Sequence, residues 1–330
     1  MGQCYNIAVA LVQSTLLESR FFKEKVKRTI RVTVPATSAN LGPGFDSLGM
    51  ALSLFNVVEV RRAESFALDF VGEGQGSLSR GRDNLVSLAV DTILERVGCA
   101  GTNYHLKATS EIPLARGLGS SAAAVVAGLL AGNALCDHRL PLSELIDMAS
   151  TLEGHPDNVA AAMLGGCMVA VEEAGRIVYA KVPVPDDLLA VLFIPELVMA
   201  THASRAMLPS QVPRADAVFN IGRAALLVAS LFSGQLGHLR VATQDRLHQH
   251  AREAVFPAMP KLFQAALDAG ALGVFLSGAG STVLALAREQ AGDVALAMTE
   301  MARALELPGR AMVVPPSRQG ALVEEIDGES

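Results

Sequence analysis

The sequence predicts an α+β protein of two domains, on three observations. The chain has 330 residues, about twice the ~150 residues of an average domain. Strand-like and helix-like stretches interleave through both halves without the regular alternation of a parallel βαβ sheet. A proline-rich turn, VPVPDD from Val182 to Asp187, separates two such blocks. Residues 29–184 are expected to form one domain and residues 185–330 a second, with residues 1–28 an N-terminal extension of unassigned role.

The extension ends in the charged run ESRFFKEKVKR. From Thr29, IRVTVPA and then SLFNVVEVRRA alternate as half-buried strands do, and between them Gly42, Pro43 and Gly44 force a turn. DNLVSLAVDTILERVG carries Leu85, Leu88, Ala89, Thr92 and Ile93 at helical spacing, with Gly98 as its stop. A strand is expected around Tyr104 to Ala108, then a loop and a long small-residue helix from about Ser120 to Leu135. PLSELIDMASTLEG reads as an amphipathic helix closed by Gly154. In the second block Leu188 to Pro195 reads as a strand, and Val218–Ser233, Arg240–Ala254 and Lys261–Ala269 read as helices. GVFLSGAGSTVLALA, a helix from Gln290 to Ala304 and the strand-like GRAMVVPP complete it.

Composition removes several classes of function. Hydrophobic residues make up 51% and charged residues 18% of the chain, enough apolar material to exclude extensive disorder. With 27 Lys+Arg against 33 Asp+Glu and a net charge of -6, no basic stripe offers itself to nucleic acid. Cys4, Cys99, Cys136 and Cys167 are widely spaced, which suits reduced thiols better than a disulfide framework or a zinc site. Gly117 to Cys136 is uncharged and long enough to span a bilayer, but it opens on GLGSS and contains Asn133, so it reads as a buried helix whose start meets a polar ligand. Ile7 to Leu17 lacks the basic flank and cleavage site of a signal peptide. A cytoplasmic protein that binds neither membrane nor nucleic acid is expected.

The strongest local feature is PLARGLGSSAAAVVAG, Pro113 to Gly128, in which glycines and serines lead directly into a helix. A helix start presents unpaired N–H groups and partial positive charge, and glycine lets backbone approach an anion closely, so the segment reads as a phosphate cradle. It is not the GxxxxGK[ST] loop, since no lysine follows the glycines.

That string resembles the phosphate loop of the GHMP kinases, the superfamily of galactokinase, homoserine kinase and mevalonate kinase. VPATSANLGPGFDSLGMAL (Val34 to Leu52) is similar to the family's first motif, and FLSGAGSTVLAL (Phe275 to Leu286) to its third. EGHPDNVAAAMLGG (Glu153 to Gly166), THASRAMLP and LHQHAREAVFP are similar to the homoserine kinases among them, so the resemblance runs collinearly from about Arg31 to Val314. Ser281 departs from the proline common in the third motif. The resemblance implies a first domain like ribosomal protein S5 domain 2 and a ferredoxin-like second domain. It implies ATP-dependent phosphorylation of the L-homoserine hydroxyl, a step toward threonine, with a homodimer admitted. Two alternatives stay open: a GHMP kinase for another small alcohol of the mevalonate type, and a non-catalytic binding protein of the same fold.

Carried residue by residue, the resemblance assigns the nucleotide to Asn84 and to the loop Pro113, Leu114, Ala115, Arg116, Gly117, Leu118, Gly119, Ser120, Ser121, Ala122 and Ala123. Asn84 also reads as a helix N-cap. Mg²⁺ falls to Ser121 and Glu153, oxygen donors of the kind that ion prefers. Asp46 matches the acid that meets the substrate ammonium, and Arg205 and Arg252 the two arginines that clamp its carboxylate. Asn40 and Asn158 are expected to orient the acceptor hydroxyl, with Thr201 in the same pocket. Asn158 stands where several relatives place an aspartate base; an amide takes no proton at neutral pH, so the γ-phosphate itself is the expected proton acceptor. Asp157 is the alternative base. His155, His248 and His250 show no zinc-like constellation and are expected to be structural or peripheral.

Overall fold

The computed structural model of the chain describes residues 28–327. The expectation for residues 1–28 lies outside them, save that Arg28 opens a strand. The first sheet has seven strands: β1 (Arg28–Ala39), β2 (Leu48–Arg62), β3 (Ala67–Gly72), β4 (Tyr104–Ser110), β5 (Cys167–Glu173), β6 (Arg176–Val182) and a strand from Leu322 to Asp327. That last strand, β4 and β3 flank the central pair in the order Leu322–Asp327, β1, β2, β4, β3, while β5 pairs with the start of β2 and with β6. Helices α1 (Leu85–Arg96), α2 (Ser120–Leu135), α3 (Leu142–Glu153) and α4 (Pro156–Leu164) belong to this domain.

Helix α2 is buried almost all round from Ala122 to Leu135, which explains its lack of a polar face. Its small residues set how close it lies to α1. A Cβ on Gly128 would stand 2.4 Å from the Val86 carbonyl oxygen, and one on Gly132 3.0 Å from Ile93 Cβ. The two helices therefore run side by side in the same direction, and the cradle at the start of α2 is carried on a tightly packed rod.

The second sheet holds β7 (Leu189–Pro195), β8 (Gly273–Leu276), β9 (Val283–Ala287) and β10 (Gly309–Val314) in the antiparallel order β10, β7, β9, β8. Between β7 and β8 lie α5 (Thr201–Ala206), α6 (Arg214–Ser233), two single turns α7 (Leu239–Ala242) and α8 (Gln249–Arg252), and α9 (Met259–Asp268). Helix α10 (Ala291–Ala304) joins β9 to β10 and buries Val294, Met298 and Ala302. Helical crossovers around a central hairpin with that strand order make the ferredoxin-like arrangement expected. Among the described residues α6 alone is long and apolar enough to cross a bilayer; it buries Leu227 and Leu231 and exposes Val218, Ile221 and Phe232.

Two expectations are corrected. The second domain does not run to the C-terminus: the strand Leu322–Asp327, β11, pairs antiparallel with β1 from Arg28↔Asp327 to Thr33↔Leu322. It covers an edge that β1 would otherwise present to solvent. The helix expected from Arg240 to Ala254 is two turns separated by a loop. Asp245 breaks it, because its carboxylate accepts the N–H groups of Leu247, His248 and Gln249 at 2.8–3.0 Å in place of helical carbonyls.

Candidate active site

A cavity of about 620 Å³ lies between the phosphate-loop side of the first domain and the start of α5 and end of α8 in the second. Of the residues assigned to nucleotide, metal or substrate, all but Ala122 line it. At one end the chain enters α2 through Gly117 and Gly119, both left-handed at φ 73° and 68°, a region that L side chains rarely adopt. A Cβ on Gly117 would meet the Ser277 carbonyl oxygen at 2.0 Å, so the cradle is also pressed against the third glycine loop. Ser277 Oγ donates to the Gly117 carbonyl at 2.6 Å.

Gly119 is the N-cap of α2 and offers no side-chain cap. The N–H groups of Ser120, Ser121 and Ala122 thus lack helical acceptors. Ala122 itself is fully buried and does not line the cavity. The Ala123 N–H is already bonded to the Gly119 carbonyl at 2.9 Å, so the run of free donors ends before it. The Arg116 guanidinium is taken up by backbone, donating to the carbonyls of Pro195, Leu114 and Glu196 at 2.7–3.0 Å. It ties the cradle to the end of β7. Asn84 caps α1, accepting from the Val86 N–H at 3.0 Å and donating to the Ser79 carbonyl at 2.7 Å, and lines the same cavity. Pro113, Leu114 and Ala115 share this wall with Val57 and Val58 of β2, Phe70 of β3 and Ala108 of β4. These apolar strand residues, which the sequence reading did not single out, make a recess suited to a planar base.

Across from α2, Ser121 Oγ donates to Glu153 Oε2 at 3.0 Å. Burial raises the Glu153 pKa, and the nearby His155 charge and the Ser121 hydrogen bond offset it only in part. No group of three or more His, Cys, Asp or Glu able to hold a metal occurs among the described residues. A hydroxyl and a carboxylate beside a phosphate cradle nevertheless suit Mg²⁺, which keeps several waters and uses few protein ligands.

The other end of the cavity is ionic. Arg205 grips Asp46 with two parallel bonds of 2.7 Å, and its guanidinium lies 5.3 Å from the Phe45 ring centre. Arg252 is 2% exposed, and its Nε is buried without a hydrogen-bond partner. Burial lowers its pKa to about 10 against the attraction of Asp245. Its Nη1 bonds His248 Nδ1, which fixes that imidazole as an acceptor there and a donor to the Gly42 carbonyl at 2.7 Å. His248 is kept neutral, because burial lowers its pKa more than Asp245 raises it. A buried cation with an unmet donor is a site for an anion.

Asn40 is more occupied than expected: it donates to the Gly278 carbonyl and accepts from the Asp46 N–H, both at 3.0 Å. It joins the first glycine turn to the third. Thr201 stands exposed at the start of α5 on the cavity wall. Asn158 accepts from the Thr37 hydroxyl at 2.7 Å. Asp157, 1% exposed, accepts at Oδ1 from His155 Nδ1 and from the Asn158 N–H, both at 2.7 Å. Burial alone would lower the His155 pKa, but the Asp157 hydrogen bond and charge, with Glu153, outweigh it and raise it. From the sequence, His155 is expected to be structural or peripheral, and neither Thr37 nor the polar lining residues Asn56, Ser79, Asp83, Thr109 and Ser110 are named. His250 is exposed and bonded to Glu253 at 2.7 Å, away from the cavity.

Comparison with known proteins agrees with this geometry. Residues 84–166 match the GHMP kinases N terminal domain and residues 229–304 the GHMP kinases C terminal domain. The homoserine kinase of Moorella thermoacetica is 40% identical over 88% of this chain and 99% of its own. That of Synechocystis is 41% identical over 89% and 98%. The crystal structure of homoserine kinase from Cytophaga hutchinsonii superposes with a TM-score of 0.81 at 31% identity, covering 90% of this chain and 97% of that one. With its two-domain fold, its glycine cradle at the start of α2 and this similarity along nearly its whole length, the chain belongs to the homoserine kinase family of the GHMP kinases.

Proposed function

We propose that the chain transfers the γ-phosphoryl group of ATP to the side-chain hydroxyl of L-homoserine, giving O-phospho-L-homoserine and ADP. One observation carries the reading: a single cavity joins the free N–H groups of α2 to a buried, incompletely satisfied guanidinium, Arg252, beside the Asp46–Arg205 pair. An acceptor that is both cation and anion uses each of these groups; a mevalonate-type alcohol has no ammonium for Asp46.

In this reading the backbone of Gly117, Gly119, Ser120 and Ser121 holds the phosphates, and the recess at Asn84 and Val58 holds the base. Ser121 and Glu153 would hold a Mg²⁺ ion, which when bound spreads the charge of the polyphosphate. Arg205 and Arg252 take the homoserine carboxylate, Asp46 takes the ammonium, and Asn158 orients the hydroxyl, with Thr201 at the rim. Asp157 is committed to His155 and to the Asn158 N–H, so the hydroxyl proton goes to a γ-phosphate oxygen and the rate arises from positioning and charge stabilisation. The product lies on the route to threonine, and the protein is proposed to act in the cytoplasm.

Coupled ADP release measured with L-homoserine, mevalonate and galactose tests the substrate. Turnover with homoserine alone is expected; faster turnover with mevalonate would reverse the assignment.

A further inference from the structure

We infer that Thr37 is a positioning residue for phosphoryl transfer, which sets the amide of Asn158 and fixes it against the phosphate cradle; this rests on the role proposed for Asn158. Thr37 lies in β1, fully buried, with no path for its hydroxyl to solvent. Its Oγ1 donates to Asn158 Oδ1 at 2.7 Å. An Asn side chain has one acceptor and one donor end, so commitment of the oxygen to Thr37 turns Nδ2 to the cavity that Asn158 lines. In that orientation the amide donates to a lone pair of the acceptor hydroxyl. Its other lone pair is left to attack phosphorus, and its O–H is left to point at a γ-phosphate oxygen. The opposite orientation would present Oδ1, which would draw the O–H away from the phosphate.

The same residue reads the cradle. The Thr37 N–H donates to the Leu118 carbonyl at 3.1 Å. A Cβ on Gly119 would stand 1.9 Å from Thr37 Oγ1 and 3.2 Å from Asn158 Oδ1. Gly119 is thus glycine both for its left-handed backbone and because the Thr37–Asn158 bond occupies the space a side chain would need. One hydroxyl touches the loop assigned to the phosphates and the amide assigned to the acceptor, so their separation is set by a rigid strand.

The test is a double-mutant cycle on the full chain with Thr37→Val, Asn158→Ala and the pair, with Thr37→Ser as the conservative control. Removing one net hydrogen bond's worth of orientation is expected to lower single-turnover phosphorylation of homoserine roughly tenfold in Thr37→Val. ATP KM should stay within about twofold, Thr37→Ser should recover most of the rate, and the double variant should be no slower than Asn158→Ala. Additive losses in the double variant, or a Thr37→Val enzyme that is folded by thermal melt and turns over at the parent rate, would overturn the inference. Unchanged turnover in Asn158→Ala would instead overturn the role of Asn158 on which it stands, and with it the inference. A Thr37→Val chain that does not fold passes the test to Thr37→Ser and Thr37→Ala, whose ratio of kcat at equal ATP KM reads the hydroxyl alone; equal kcat in these two overturns the inference.

Discussion

Arg205 and Arg252, both proposed to take the homoserine carboxylate, start from opposite states. Arg205 is already neutralised by Asp46 through a bidentate pair, and the side chains remain 40% and 32% exposed. Arg252 is buried and keeps an unmet donor. In the proposed reading, a bound zwitterion would exchange the first pair for two new ones and would supply the second with an anion it lacks. Truncating a buried charge partner typically costs ~2–5 kcal/mol. Arg252→Ala should therefore raise the homoserine KM more than tenfold and more than Arg205→Ala, with ATP KM nearly unchanged; equal homoserine affinity in parent and Arg252→Ala, by steady-state titration, would refute the clamp. Glu153 carries the opposite tension. Its raised pKa means that its charged form is disfavoured in the folded state, so stability is lost as pH rises through that pKa. Glu153→Gln should melt higher than the parent at neutral pH without metal, yet need more Mg²⁺ for turnover. A lower melting temperature together with an unchanged metal titration would make Glu153 structural.

At the level of elements, the first turn of α4 concentrates the same logic. His155 precedes α4, and Asp157 in its first turn bonds both the imidazole and the Asn158 N–H. The folded pKa of His155 is raised, so the stability contributed by this pair is complete below the ordinary histidine value near ~6.5 and is lost as pH rises through the folded value. The melting gap between the parent and Asp157→Asn should be widest at acidic pH and narrow above the folded pKa. If Asp157 is no base, single turnover in that variant should fall far less than the ~10²–10⁴-fold of general-base loss. Elements whose signal is local were legible beforehand: α2 starts at Ser120 and α3 closes on Gly154 as their sequences state. So were the glycine loops, whereas the acids and arginines that line the cavity were named through the resemblance. What escaped was set by distant partners. The break at Asp245 depends on Asn220, which donates to it at 2.7 Å from α6, and Thr37 gains its meaning only from a residue 121 positions away.

For the whole molecule, β11 matters most, because it makes the second domain an insertion within the first. LVEEID carries too few apolar residues to announce a strand, and its partner β1 lies at the far end of the described chain. Beyond the ladder, the segment that leads to β11 is stitched to the site-bearing half. Gly166 N–H donates to the Ser317 carbonyl at 2.7 Å and Ala321 N–H to the Ala162 carbonyl at 2.9 Å, at the end of α4 and just after it. Gly320 fits there only without a side chain, since a Cβ would approach the Met163 carbonyl oxygen to 2.2 Å. The segment from Ser317 to Ala321 thus holds the far end of the helix whose first turn carries Asp157 and Asn158. A chain ending at Val314 should lose hydrogen-exchange protection first in β1 and α4 and retain it in β7 to β10, whose sheet and helices α9 and α10 are complete without the tail. Gly320→Val should reproduce the loss in α4 while leaving β11 in place, and both variants should turn over homoserine more slowly. Equal protection of β1 and α4 in parent and shortened chain would show that the return strand decorates the first domain without supporting it.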